Sequence, residues 1–311
     1  MIYGQGKFRY ARVDSWAKLP AGESFMDVGG ICTDAQARVY VLSRSEYPIS
    51  VFDRDGAVVT RWGKGFFGRA HGSCIAPDGS LYCTDDRSHT VSQFTPEGKL
   101  LRTLGTKDRP SDTGYREAQD LWERLASITR GGGPFNRPTG VAVAPSGELY
   151  VADGYGNARV HRFRANGELI ASWGEPGPGP SQFRLPHHVA VDRFGRVWVV
   201  DRENHRIQIF REDGKFLTQW TDLFRPTGVC IDRDDAVYVS ELCRRVSIFT
   251  MDGELLARWG NEAHPPDAPL FIAPHVIAID PHGDLYVGEV SMTHAKVNKG
   301  VNTMQKFVRQ A

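Results

Sequence analysis

The sequence predicts an all-β fold, a six-bladed β-propeller, and three observations carry that prediction. First, the apolar runs are short, alternating and β-branched, and turns such as PDG, PSG, RDG, EDG and MDG punctuate them. That is the pattern of strands joined by tight hairpins. Second, a unit of roughly 40 residues recurs along the chain, running P-x-G/H, an alternating strand, G-x-φ-Y-V-x-D (φ apolar), then F, G and a final W-G. Third, its register is constant: from a variable position after the leading Pro to the residue closing the second strand, every copy counts 14. The pairs are Gly29 to Ser43, His71 to Asp85, Thr139 to Asp153, His187 to Asp201, Thr227 to Glu241 and His275 to Glu289. Six such four-stranded units imply radial repetition around a ring.

In chain order the copies begin near Val28, Ala70, Pro138, Pro186, Pro226 and Pro274, and five end at Gly63, Gly105, Gly174, Trp220 and Gly260. The sixth runs out in MQKFVRQA without its W-G strand, while the N-terminal FRYARVDSW looks like the missing one. The first strand is therefore expected to complete the last blade and close the ring. Residues 106–133 form the large insertion between copies two and three, and REAQDLWERLASI within it has helical spacing and good helix formers. It is expected to form a rim or lid segment on a single propeller domain spanning 1–311.

Composition narrows the function classes. With 38 basic and 37 acidic residues the net charge is +1, so neither nucleic acid nor a membrane surface is expected as a partner. No apolar run approaches the ~20 residues needed to span a bilayer, and the first residues lack the apolar segment of a secretory signal. Of five cysteines, Cys32, Cys74 and Cys230 sit inside apolar strand-like runs and read as reduced thiols packed as small hydrophobes. These features point to a cytoplasmic protein.

The variable position opens the innermost strand of each blade, at the mouth shared with the loop after the second strand. Around the ring it reads Gly29, His71, Thr139, His187, Thr227, His275. Histidine on blades two, four and six brings three imidazoles toward one axis, the pattern of a catalytic zinc site with an open fourth position. Iron, cobalt or manganese also suit imidazole. The simpler reading is that each His caps its strand by bonding to backbone. Just after the 14-residue count, Arg44 and Arg202 occupy the same mouth, and paired guanidiniums suit a carboxylate-bearing substrate. Their simpler reading is surface pairing with Glu46 and Glu203. Tyr155, two residues past Asp153 in DGYGNAR, joins them at the mouth or is a loop aromatic. His188 alternates to the other strand face. His89, His161, His205, His264, His282 and His294 are expected on the surface or in loops, and Asp153, Asp201, Glu241 and Glu289 are expected to serve architecture.

The unit resembles the NHL repeat. More narrowly, FNRPTGVAVAPSGELYVADGYGNARVHRFRANGELIASWG and LPHHVAVDRFGRVWVVDRENHRIQIF resemble the lyase core of the peptidyl-α-hydroxyglycine α-amidating lyase family, over roughly residues 25–310. The resemblance implies a zinc held by His71, His187 and His275, a catalytic Tyr155, and substrate-binding Arg44 and Arg202. The implied reaction cleaves the N–C bond of a C-terminal α-hydroxyglycine to give an amide and glyoxylate, on a peptide C-terminus or a small carboxylate-bearing substrate. Where the animal enzymes have an Asp that helps bind calcium, this chain has Val276, so calcium is not expected there. Where secreted members have a Cys after the catalytic tyrosine, this chain has Gly156. The alternative function is a non-catalytic NHL propeller serving as a protein-interaction platform.

Overall fold

The computed structural model describes residues 1–260 and 269–310, and its fold is the six-bladed β-propeller that the repeats imply. Two compact units make up the chain: Phe66–Pro226, and Met1–Gly65 together with Thr227–Ala311.

The first of these holds blade two (Ala70–Ile75, Leu81–Asp85, Thr90–Phe94, Leu100–Leu104), blade three (Pro138–Val143, Leu149–Asp153, Arg159–Phe163, Leu169–Trp173) and blade four (Pro186–Val191, Val197–Asp201, Arg206–Phe210, Phe216–Trp220). Each is an antiparallel meander. In all three the second strand is buried at every position, while the outermost strand is half exposed. Two packed neighbours explain the continuously buried second strands, and solvent on one side explains the mixed outer ones.

The other unit holds blade one (Val28–Thr33, Val39–Ser43, Ile49–Phe52, Val58–Trp62), blade five (Pro226–Ile231, Val237–Glu241, Arg245–Phe249, Leu255–Trp259) and blade six (Pro274–Ile279, Leu285–Glu289, Met304–Gln310). Phe8–Val13 pairs antiparallel with Met304–Gln310, so the N-terminal strand completes blade six as the truncated sixth repeat requires. An extra strand, Ile2–Gln5, hairpins onto it and makes this sheet five-stranded. Tyr10 anchors the closure by stacking on Trp259 at 5.5 Å.

A feature of the backbone accounts for the variable position. In blade four Pro186 pairs with Asp201 and His188 with Val200, leaving His187 as the extra residue of a β-bulge. The same break falls at Gly29, Thr139 and His275, and in blade two across His71 and Gly72. A bulge takes one side chain out of the alternation and re-aims it, so each of these five blades presents a residue in a direction the pleat would not otherwise allow. A glycine follows the variable position in four repeats, and it has a steric cause at Gly72 and Gly140. A Cβ on Gly140 would stand 3.0 Å from the His188 Cα, and one on Gly72 would meet the Thr139 carbonyl.

The insertion is less helical than its spacing suggests. Its helix, α1, covers only Leu121–Ser127, because the Asp120 carboxylate caps the Trp122 and Glu123 amides and starts the helix there. Residues 116–120 are irregular instead, with the Arg116 amide bonded to Ser127 Oγ at 2.8 Å.

Candidate functional site

Blades two to four bring together four polar side chains. His71 and His187 are buried, with ring centroids 4.9 Å apart and planes at 73°. The Tyr155 hydroxyl lies 3.5 Å from His187 Nε2 and accepts a hydrogen bond from Arg202 Nη1 at 3.1 Å. Arg202, nearly fully buried on a 3-10 turn directly after its strand, is aimed by a second bond from Nε to Glu203 at 2.8 Å. Glu203 also receives Arg225 at 2.8 Å. The Arg202–Glu203 pairing expected of a surface arginine does occur, but in the interior, where it fixes the guanidinium against the tyrosine.

Tyr155 sits among cations. The Arg202 and Arg69 guanidiniums lie over its ring at 5.4 and 5.5 Å from the centroid. Burial alone raises a phenol, yet the two arginines outweigh it, and the Tyr155 hydroxyl falls below its ordinary value near 10.

The inner-strand residues are linked by hydrogen bonds that explain the His/Thr alternation. His71 Nδ1 lies 2.6 Å from the Thr139 carbonyl oxygen on the next blade, and Thr139 Oγ1 donates at 2.7 Å to the Pro186 carbonyl, immediately before His187. In the other unit Thr227 Oγ1 donates to the Pro274 carbonyl at 2.9 Å, immediately before His275, and His275 Nδ1 lies 3.2 Å from the Gly29 carbonyl. A carbonyl only accepts, so Nδ1 of His71 and His275 carries the proton and Nε2 keeps its lone pair. Capping and metal ligation are therefore compatible: one ring nitrogen caps a strand while the other is prepared as a ligand, the arrangement that orients metal-bound histidines. His71, His187 and His275 are each buried. This donor set fits a divalent metal ion.

Arg44 departs from its simpler reading. It bonds Asp27 at 3.0 Å and Thr293 Oγ1 at 2.8 Å, while Glu46 pairs with Lys64. Asp27 is itself buried and accepts the Met292 and Thr293 amides.

Counting around the repeats missed two residues at the tyrosine. Arg69 precedes His71 by two residues, and its Nη1 lies 3.2 Å from the buried Asp86. Asp86 occupies the register of Arg44 and Arg202, so comparing that one position across all six repeats is the signal that finds it.

The remaining histidines need correction. His161 is buried between Ser172 Oγ at 2.7 Å and the Asp153 carboxylate at 3.3 Å, not on the surface. His89 and His205 do share a register, each four residues past the aspartate closing the second strand, each left-handed, and each accepting the Arg137 or Arg225 amide at 3.1 Å. Their rings hold the lead-in to the following blade. His282 and His294 are exposed as expected, and His264 lies outside the described residues. Burial pushes the His188 imidazole down to about 4. Asp153, Asp201 and Glu289 accept the backbone amides that lead into their own blades, at 2.6–3.2 Å, the architectural role expected of them.

Gly156 also has a local reason. A Cβ there would overlap Asn136 Oδ1, and the Gly156 carbonyl accepts Thr113 Oγ1 of the insertion at 2.6 Å. The described cysteines form no disulfide. Among the described residues no helix is long and apolar enough to cross a membrane.

An NHL repeat model matches residues 135–163 and 183–210. NHL repeat-containing protein 3 of Mus musculus is 31% identical over 202 residues, 61% of this chain and 53% of that protein. Peptidyl-alpha-hydroxyglycine alpha-amidating lyase 1 of Drosophila melanogaster is 33% identical over 178 residues, 53% of this chain and 29% of that protein. The chain thus spans about half or less of these curated relatives. Among solved structures, a catalytically inactive virginiamycin B lyase from Staphylococcus aureus with quinupristin superposes with a TM-score of 0.60 at 18% identity, covering 97% of this chain and 89% of that one, a likeness of fold alone. Repeat matches, blade count and sequence relatives agree: this chain is an NHL-repeat six-bladed β-propeller with homologues among the peptidyl-α-hydroxyglycine α-amidating lyases.

Proposed function

We propose that this propeller is a zinc-dependent carbon–nitrogen lyase acting on an α-hydroxyglycine-type carbinolamide and releasing an amide and glyoxylate. The observation that carries the reading is the Tyr155 hydroxyl, 3.1 Å from Arg202 Nη1 and 3.5 Å from His187 Nε2. A phenol with a guanidinium and a ligand-type histidine beside its hydroxyl supports a role in proton transfer.

His71, His187 and His275 would hold the ion, which when bound supplies Lewis-acid stabilisation of developing negative charge and eases deprotonation of a hydroxyl. Arg202 and Arg44 bind the substrate carboxylate through paired hydrogen bonds. Tyr155, whose phenolate Arg202 and Arg69 favour, takes the proton of the α-hydroxyl. The electron pair left on oxygen forms the glyoxylate carbonyl, the C–N bond breaks with its pair going to nitrogen, and that nitrogen gains a proton as the amide departs. Tyr155 can return the one it took, leaving the enzyme unchanged.

The test is direct. Incubation with an N-acyl-α-hydroxyglycine should release glyoxylate, with one zinc per chain lost in His187→Ala. Tyr155→Phe should keep the zinc and lose about a hundredfold or more in kcat. Full activity in that variant would remove the tyrosine from the chemistry. One observation favours a second reading, a protein-interaction platform: NHL repeat-containing protein 3 is as similar as the lyases and is named only for its repeats. A zinc-free chain without turnover would favour it.

A further inference from the structure

In blades one, two, four and six the rim pairs the residue two before the variable position with the residue after the second strand. The amide of the latter bonds the carbonyl of the former, as in Arg44 to Asp27 at 2.9 Å and Asp86 to Arg69 at 3.2 Å. Blade one thus carries Asp then Arg, and blade two carries Arg then Asp. In blade four the pair is Leu185 and Arg202, with the cation again second. Arg69 is the cation on the strand side, two residues from His71, and it lies over the Tyr155 ring.

The surroundings of Arg69 are rigid at both ends. Its amide and that of Gly68 bond the Asp85 carboxylate at 2.9 and 2.6 Å, and its guanidinium meets the buried Asp86. Gly68 is packed so that a Cβ would stand 2.8 Å from Ser88 Oγ. A long side chain held at its base and its tip loses little further freedom by stacking on an aromatic ring, and a planar guanidinium suits that stacking better than an ammonium.

We propose that Arg69, clamped by Asp86, is a positioning residue for Tyr155, holding the ring while Arg202 holds the hydroxyl. The inference rests on the lyase reading only for its kinetic test. Arg69 makes no contact with substrate in this role, so its loss acts on turnover and not on binding. Arg69→Gln should lower kcat roughly ten- to a hundredfold through misplacement of the phenol, with KM for an N-acyl-α-hydroxyglycine changed by less than about threefold. Arg69→Lys should recover part of the loss, and Asp86→Asn, which frees the clamp, should show the same split in milder form. An unchanged kcat, or a rise in KM alone, overturns the proposal.

A measurement without turnover separates this idea from the lyase assignment. In the full chain labelled with 3-fluorotyrosine, the Tyr155 resonance is identified by its absence in Tyr155→Phe. It should shift and narrow in Arg69→Gln as the ring gains freedom, whether or not any hydroxyglycine is cleaved. A resonance superimposable on that of the parent protein overturns the positioning role, while a failed glyoxylate assay alone overturns only the lyase.

Discussion

Thr139 links two histidines without being a ligand. Its carbonyl faces His71 Nδ1, while its hydroxyl donates to the Pro186 carbonyl at 2.7 Å and lies 3.0 Å from the Ala152 carbonyl. Thr139→Val keeps the shape and removes only the donor, leaving the Pro186 oxygen without that bond in a buried place. The expected cost is about 1–3 kcal/mol, read as a lower midpoint in urea with an unchanged slope. Since Pro186 directly precedes His187, the proposed metal site predicts that zinc affinity falls in the same variant, and competition with a chelator measures that. Equal zinc affinity would mean that the bond supports the strand and not the histidine. On the proposed reading, Tyr155→Phe therefore probes the chemistry and Thr139→Val the alignment of a proposed ligand.

At the scale of elements, the insertion is fastened to the loop that carries Tyr155. Thr113 Oγ1 bonds the Gly156 carbonyl, the Gly132 amide bonds Asn157 Oδ1 at 3.0 Å, and Asn136 Nδ2 bonds the Ser111 carbonyl at 3.0 Å. Leu125 and Ile128 pack with Leu185, and the Tyr155 ring leans on the same cluster. Its two ends are close, since a Cβ on Gly105 would stand 2.9 Å from the Phe135 ring. Replacing 107–132 with a short Gly/Ser linker should therefore leave the blades folded, with the β-type circular dichroism spectrum retained, while kcat falls and substrate range broadens. Loss of the cooperative thermal transition would instead make the insertion part of the core. The N-terminal strand calls for the opposite expectation. Phe8 and Tyr10 are buried among Tyr238, Trp259 and Phe307, and removing residues 1–13 bares the edge of Met304–Gln310, an open template for pairing with other chains. Such a truncated protein should aggregate or melt at least several degrees lower; an unchanged Tm would show that blade six stands without its borrowed strand.

For the whole molecule, the fold was legible because a repeat supplies its own controls. Six copies with one spacing fixed the blade boundaries, and the truncated sixth copy pointed to the N-terminal strand. The three histidines were legible for the same reason, since their alternation with threonine stood out against an otherwise constant frame. Other features were not, and the causes are physical. A bulge leaves no mark in composition, so the count of 14 located His187 without showing how its side chain leaves the pleat. Helical spacing over 116–128 could not tell that Asp120 would start the helix late. The partners of Arg44 and Arg202 depended on tertiary neighbours: Asp27 is remote in sequence from Arg44, and Glu203 went inward instead of outward. Asp86 escaped because it differs from its counterparts in the other repeats, and a search for sameness passes over such a position; Arg69 escaped because arginine recurs at its register as Arg137 and Arg225, so nothing marked it out.

The fastening around Gly156 has one more consequence. Where a covalent crosslink would have to be cut chemically, Thr113, Asn136 and Asn157 form a latch of ordinary hydrogen bonds. Thiol reductants should leave that latch alone, whereas mild warming or dilute urea should spring it well before the blades come apart.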